Sequence, residues 1–232
     1  MTARVGVILF PGSNCERDVM EAVGLLGGRA ELLWHGDRTV SGVDAVVVPG
    51  GFAHGDYLRP GAIARFSPIM PAVEAFARDG GPVVGICNGF QVLTEAGLLP
   101  GALQKNRGLR FLCTTVEVRV ETVDSALTGE ARAGSVLRIP INHFEGNFTC
   151  SAETLAELRA DDRVILRYVD NPNGSIDGIA GVCNEGRNVI GLMPHPERAC
   201  HGLLGSTDGA PLLRSLLAAA ARSSPADALA AS

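Results

Sequence analysis

The feature that most constrains this chain is the stretch from Pro82 to Leu93. Val83 to Ile86 is a short apolar run, the kind that forms a strand buried on both faces. Asn88 to Ala96 fits a helix, with Phe90, Leu93 and Thr94 on one side. Between them Gly85-Ile86-Cys87-Asn88-Gly89 makes a G-x-C-x-G pattern. That pattern suits a sharp strand-to-helix elbow, where Cβ atoms flanking the turn would strike neighbouring backbone and glycine avoids the collision. The elbow lifts its central residue clear of the sheet at the positive end of the next helix, a field that favours thiolate over thiol. Cys87 is therefore the candidate nucleophile. The plain alternative is a buried structural cysteine, since free cysteine often serves as a small core residue.

Around this unit the sequence suggests α/β architecture in one domain, residues 1–222. A length of 232 residues with 46% hydrophobic and 19% charged side chains supplies a sizeable core and argues against disorder. A net charge of −5 leaves no basic footprint for nucleic acid. No apolar run is long enough to span a bilayer, and Arg4 to Phe10 resembles a first strand more than a secretory signal. A cytoplasmic protein is the expectation by elimination. The six cysteines, Cys15, Cys87, Cys113, Cys150, Cys183 and Cys200, form no C-x-x-C pair, so no metal ribbon or dithiol motif is present. Only Cys87 has a context that singles it out.

In chain order, Val5 to Phe10 is the first strand, and Ser13 or Asn14 is the expected N-cap of a helix running to about Leu26. Ala30 to Trp34 and Asp44 to Val48 are the next strands, the latter ending in Pro49-Gly50-Gly51. Successive free N–H groups there could form an anion-binding nest, though an unliganded glycine turn is the simpler reading. The chain has neither G-x-x-x-x-G-K-[ST] nor G-x-G-x-x-G. A helix is expected over roughly Pro60 to Arg78. Beyond the elbow, alternating β-branched patterns at Phe111 to Val120, Val136 to Asn142 and Val164 to Val169 suggest half-exposed antiparallel strands inserted on the parallel core. His143 and Glu145 end one of these as either a second catalytic pair or a surface turn supporting the site, and the turn is the preferred reading. Asn171-Pro172-Asn173-Gly174-Ser175 marks a tight loop. Asn188 to Met193 is a last strand, Leu212 to Arg222 a closing helix, and 223–232 a small-residue tail expected to fray.

A thiol nucleophile needs a base, and the base needs an orienter. Pro194-His195-Pro196-Glu197 supplies both. In extended backbone, residues two apart point the same way, so Glu197 could hold one imidazole nitrogen of His195 and leave the other exposed to the thiol. A carboxylate there would also raise the histidine pKa. Alone, this motif could be a structural histidine in a loop. It gains weight because it ends one buried strand as Cys87 ends another, and strands of a parallel sheet deliver their carboxyl ends to one edge.

Together these segments resemble the class I (triad) glutamine amidotransferases, whose fold is an open, mostly parallel flavodoxin-like sheet flanked by helices. More narrowly, Phe10 to Cys15, Pro49 to Phe52, Gly55 to Arg59, Asn171 to Ser175 and Met193 to Arg198 are similar to the glutaminase subunits of phosphoribosylformylglycinamidine synthases. The likeness runs from near residue 10 to near 200. It implies a catalytic triad of Cys87, His195 and Glu197, an oxyanion hole from the backbone N–H groups of Gly51 and Asn88, and substrate-binding or supporting roles for Gln91, His143 and Glu145. It implies hydrolysis of glutamine through a cysteinyl thioester. The ammonia would pass to a large synthetase subunit that uses ATP and Mg in purine biosynthesis, with a small bridging subunit between the two. No metal or cofactor is implied for this chain. The residues alone leave open a stand-alone cysteine hydrolase, a non-catalytic scaffold of the same fold, and an amidotransferase of another pathway.

Overall fold

The computed structural model describes residues 2–223. Nine strands form one sheet in the order β2-β1-β3-β4-β11-β10-β9-β6-β7. They are β1 (Arg4–Leu9), β2 (Arg29–Trp34), β3 (Ala45–Val48), β4 (Val83–Ile86), β6 (Leu112–Val120), β7 (Val136–His143), β9 (Val164–Tyr168), β10 (Ile179–Cys183) and β11 (Val189–Leu192). A separate two-stranded ribbon pairs β5 (Ala102–Gln104) with β8 (Asn147–Thr149). The helices are α1 (Glu16–Leu25), α2 (Met70–Arg78), α3 (Asn88–Glu95), α4 (Ala152–Ala160) and α5 (Ala210–Ser223). Of the tail expected at 223–232, Ser223 closes α5 and the rest lies outside the described residues.

From β2 to β11 every neighbouring pair is parallel, and from β11 to β7 every pair is antiparallel. The parallel strands β3, β4 and β11 are buried along their whole length, as expected for strands covered on both faces. The strands β6 and β7 alternate between buried and exposed side chains. The expected antiparallel insertion is therefore a continuation of the central sheet. Alternating directions along β10, β9, β6 and β7 leave β7 running the same way as β4. Its last residue, His143, consequently arrives at the carboxyl edge. β7 also returns to the middle of the molecule, where Pro140 O accepts a hydrogen bond from His195 N at 2.8 Å. The antiparallel half must curl over that edge to allow this.

Three local expectations need correction. The helix expected over 60–78 is shorter. A 3-10 turn covers Ala64–Phe66, Ser67 is extended at φ −62°, ψ 144°, and α2 begins only at Met70. Pro68 explains the break, because proline pushes the preceding residue out of the α region. Neither Ser13 nor Asn14 caps α1, whose N-cap position is Cys15 with no side-chain cap. Ser13 Oγ instead accepts from Phe10 N, and Asn14 Oδ1 accepts from the Cys15 thiol. Lastly, Pro196–Ala199 is a 3-10 turn and not extended chain.

Candidate active site

The elbow forms where the sequence places it. Cys87 lies between β4 and α3 at φ 53°, ψ −106°, a conformation costly for any residue with a Cβ. Surrounding packing enforces it. A Cβ on Gly89 would lie 1.9 Å from Val48 O, and one on Gly85 would lie 2.6 Å from Gly89 C. Only glycine lets α3 start this close to β3. Cys87 N donates to Leu192 O at 2.8 Å, which ties the elbow to the neighbouring strand β11.

That strand delivers His195. β4 and β11 are adjacent and parallel, with Ile86 opposite Leu192, so the residues after each share one edge. His195 Nδ1 donates to Glu197 Oε1 at 2.6 Å, and both side chains are buried. The tight turn started by Pro196 brings the carboxylate back under the ring. The pairing matches the sequence expectation, but the backbone geometry behind it differs. Burial opposes charge on the imidazole; the negative charge of Glu197, then that of Cys87, overcomes it and holds the His195 pKa well above its ordinary value. Its Nε2 has no protein hydrogen-bond partner. A Cβ built on Gly50 would lie 2.7 Å from His195 Cε1, 3.0 Å from Cys15 Sγ and 3.5 Å from Cys87 Cβ, so all three side chains surround one point.

The loops after β1 and β3 make one wall. Asn14 N and Cys15 N donate to Gly50 O, and Phe52 N donates to Gly12 O. This zipper explains why the Pro11-to-Cys15 and Pro49-to-Phe52 segments go together. Among the described residues, the backbone N–H groups of Gly51 and Asn88 have no hydrogen-bond partner. Gly51 lines the cavity beside Cys87. Both groups suit an oxyanion hole. Little room exists beside the sulfur: about 20 Å³ is open to water, space for roughly one molecule.

The opposite wall comes from the segment after β7. Cys87 Sγ lies 3.6 Å from Asn142 O. His143 is buried, not the surface turn expected from sequence. Burial first, then the charge of His195, push its pKa down to about 4, so it is neutral at physiological pH. Its Nδ1–H donates to Asn106 Oδ1 at 3.1 Å, and the same oxygen accepts from Gly146 N. Gln91 supports this wall from α3: its Nε2 donates to Glu145 O at 2.5 Å, and its Oε1 accepts from Asn88 Nδ2 at 2.8 Å. Asn173, fully buried in the predicted tight loop, donates to Gly146 O at 2.8 Å.

Sequence reasoning missed three side chains here. Cys15 is buried against His195, and its sulfur accepts from Arg198 Nη2 at 3.2 Å while Arg198 Nε donates to Asp18 Oδ2 at 2.9 Å. Asn106 organises the His143 wall. Asp56 lines the cavity, and burial raises its pKa to about 6 even though Asn88 donates to it. For Cys15 and Asp56 the signal was their place in the Phe10-to-Cys15 and Gly55-to-Arg59 segments of the resemblance, in loops facing the carboxyl edge.

Residues 2–208 match the family model of the CobB/CobQ-like glutamine amidotransferase domain. The phosphoribosylformylglycinamidine synthase subunit PurQ of Rubrobacter xylanophilus is 60% identical over 217 residues, covering 94% of this chain and 99% of that protein. The protein of the same name from Koribacter versatilis is 53% identical over 229 residues, with coverage of 94% and 99%. Among solved structures, a chain of PurLQS from Thermotoga maritima aligns with a TM-score of 0.87 at 42% identity, covering 94% of this chain and 99% of that one. The chain belongs to the CobB/CobQ-like glutamine amidotransferase family.

Proposed function

We propose that this chain is the glutaminase subunit of a phosphoribosylformylglycinamidine synthase. It hydrolyses glutamine and hands the ammonia to a synthetase subunit that converts formylglycinamide ribonucleotide to the amidine with ATP. The observation that carries the reading is the meeting of Cys87 and His195 at the ends of adjacent parallel strands, with Glu197 under the ring. Near full-length identity to subunits of that name supports the choice of pathway.

In this reading the Cys87 thiolate attacks the side-chain carboxamide carbon of glutamine. The oxyanion is received by the N–H groups of Gly51 and Asn88. The His195 imidazolium gives its proton to the departing nitrogen, and ammonia leaves a glutamyl thioester on the sulfur. Neutral His195 then takes a proton from water, the resulting hydroxide attacks the thioester, and collapse releases glutamate and restores the thiolate. Glu197 keeps the ring oriented and stabilises its charge in both half-reactions. These steps need no cofactor in this chain; ATP and Mg belong to the synthetase.

Ammonia released into neutral water would be protonated and lose its nucleophilicity. Assembly with the synthetase, bridged by a small third subunit, gives it a protected route. Among the described residues no helix is long and apolar enough to cross a membrane; the cytoplasm is the proposed location. The test is Cys87→Ala in the assembled complex. Synthesis from glutamine should vanish while synthesis from added ammonia continues. Normal turnover of glutamine by the variant refutes the nucleophile assignment.

A further inference from the structure

We propose that Asp56, assisted by Glu145, receives the α-ammonium group of glutamine and so makes the pocket select α-amino acid amides over simple carboxamides. The inference rests on the glutaminase reading and adds a specificity-determining residue to it.

Both carboxylates line the cavity that holds Cys87 and His195. They come from opposite walls: Asp56 from the loop after β3, Glu145 from the turn after β7. They sense each other, since the charge of Glu145 helps raise the Asp56 pKa. No lysine or arginine lines that cavity. His143 is neutral, and the charge on His195 is engaged by Glu197. Lys105, over the Phe144 ring, offsets part of the charge of Glu145, so Asp56 is the carboxylate of the pocket that no cation answers. Glutamine brings one cation, its α-ammonium, four bonds from the carbon that Cys87 attacks.

Asp56 is held in register with the reacting centre. Its Oδ1 accepts from Asn88 Nδ2 at 3.1 Å. Asn88 is fixed in turn by Ala53 N, which donates to its Oδ1 at 3.0 Å, and by Gln91 Oε1 at 2.8 Å. Asn88 immediately follows the nucleophile. One residue thus offers its backbone N–H towards the oxyanion position and its side chain to Asp56. Among the described residues, no donor pairs with the second oxygen of Asp56. The segment adopts left-handed backbone at His54, Gly55, Asp56 and Leu58, with φ from 53° to 70°. The bare, buried Nε2 of His195 marks the same space as a ligand site.

The test compares L-glutamine with glutaramate, the same amide lacking the α-amino group, in the assembled complex. The wild type should strongly prefer glutamine. Asp56→Asn keeps the shape and the bond from Asn88 but removes the charge. It should lower kcat/KM for glutamine roughly 10- to 100-fold, mainly through KM, as expected for loss of a charge-assisted hydrogen bond. It should lower kcat/KM for glutaramate far less, so the preference for glutamine shrinks. Glu145→Gln should give a smaller selective loss and serves as the second arm if Asp56→Asn does not fold. Ammonia-dependent synthesis reports that each complex is intact. Equal losses on both substrates, or an unaltered preference in both variants, overturns the proposal and leaves the glutaminase reading standing. Activity that chelator abolishes and added divalent metal restores, in the wild type but not in Asp56→Asn, would make the carboxylates a metal site and also overturns it. A wild-type complex that hydrolyses neither amide overturns the glutaminase reading itself.

Discussion

The two halves of the sheet were built by different rules, and the site lies on their seam. Apart from its edge strand β2, the parallel half is buried on both faces. Its strands β3, β4 and β11 are runs of apolar residues, and each ends in a loop that supplies a chemical group: Gly51, Cys87 and His195. In the antiparallel half β10 and β9 are buried too, although Val164 to Val169 was expected to be half exposed, and the outer strands β6 and β7 wet one face and alternate. This half supplies a wall, through Asn142, His143 and Glu145. Chemistry therefore resides on the half whose position burial fixes most tightly, and the half with a free face folds over it. The rule is open to attack by changes that should hurt one half more than the other.

The largest contrast is in turnover. Glu197→Gln keeps the shape but removes the charge that stabilises the imidazolium. It should lower glutaminase kcat by about a thousandfold to ten-thousandfold, by analogy with the same change in hydrolytic triads. His143→Gln, on the antiparallel wall, should cost only about tenfold, because its contacts position backbone and not the reacting groups. Steady-state glutamine hydrolysis by the assembled complex measures both. A His143 variant as damaged as the Glu197 variant would erase the distinction between the halves.

Next comes stability. Gly89→Ala forces a methyl to within 1.9 Å of Val48 O, where backbone lies on both sides. Neither partner can yield without moving a buried strand, so the loss should reach about 3 kcal/mol or more, at the top of the range for overpacking. Asn106→Ala strikes the opposite wall. It leaves the buried Nδ1–H of His143 and N–H of Gly146 without acceptors and should cost about 2 kcal/mol. Urea midpoints rank the two. If Asn106→Ala costs more, the wall is as rigid as the core.

The same division explains what was legible in the sequence. β4 was read at its observed limits, and β3 and β11 within a residue, because an uninterrupted apolar run between glycine or proline turns has few other destinations. The elbow was legible because its glycines and Cys87 are contiguous. The meeting of Cys87 and His195 was legible because parallel strands share an edge. The wall was not. Local pattern assigned His143 to a surface turn, yet it is buried because β7 curls back to the segment after β11, a consequence of four pairings no local pattern records. Asp56, Cys15 and Asn106 escaped for a similar reason: their partners are 32, 183 and 37 residues away. The helix limits around Pro68 were the opposite case, a local signal that was present and overridden by the apolar pattern.

The smallest effect sets one half against the other in acid. Asp56, from the parallel half, has its pKa raised to about 6. In the folded protein it takes up its proton at higher pH than in the unfolded chain, so its contribution favours the fold at low pH and is lost as pH rises through about 6. His143, from the antiparallel half, has its pKa lowered to about 4. The unfolded chain binds that proton first, so its contribution is full above about 6.5 and is lost as pH falls through about 4. Between pH 4 and 6 the two oppose each other. His143→Gln removes one side of the opposition and should therefore lose less stability than the wild type when the urea midpoint is compared at pH 6.5 and pH 4.5. Asp56→Asn should lose more. Glutamine binding follows Asp56 first over this range, with a smaller part from Glu145, whose pKa burial also raises: KM should rise below pH 6 in the wild type and rise less in Asp56→Asn, because a protonated carboxyl no longer offers a charge to the ammonium. Parallel stability curves for all three proteins would mean that neither buried group titrates differently in the folded state, and that the seam between the halves is wet.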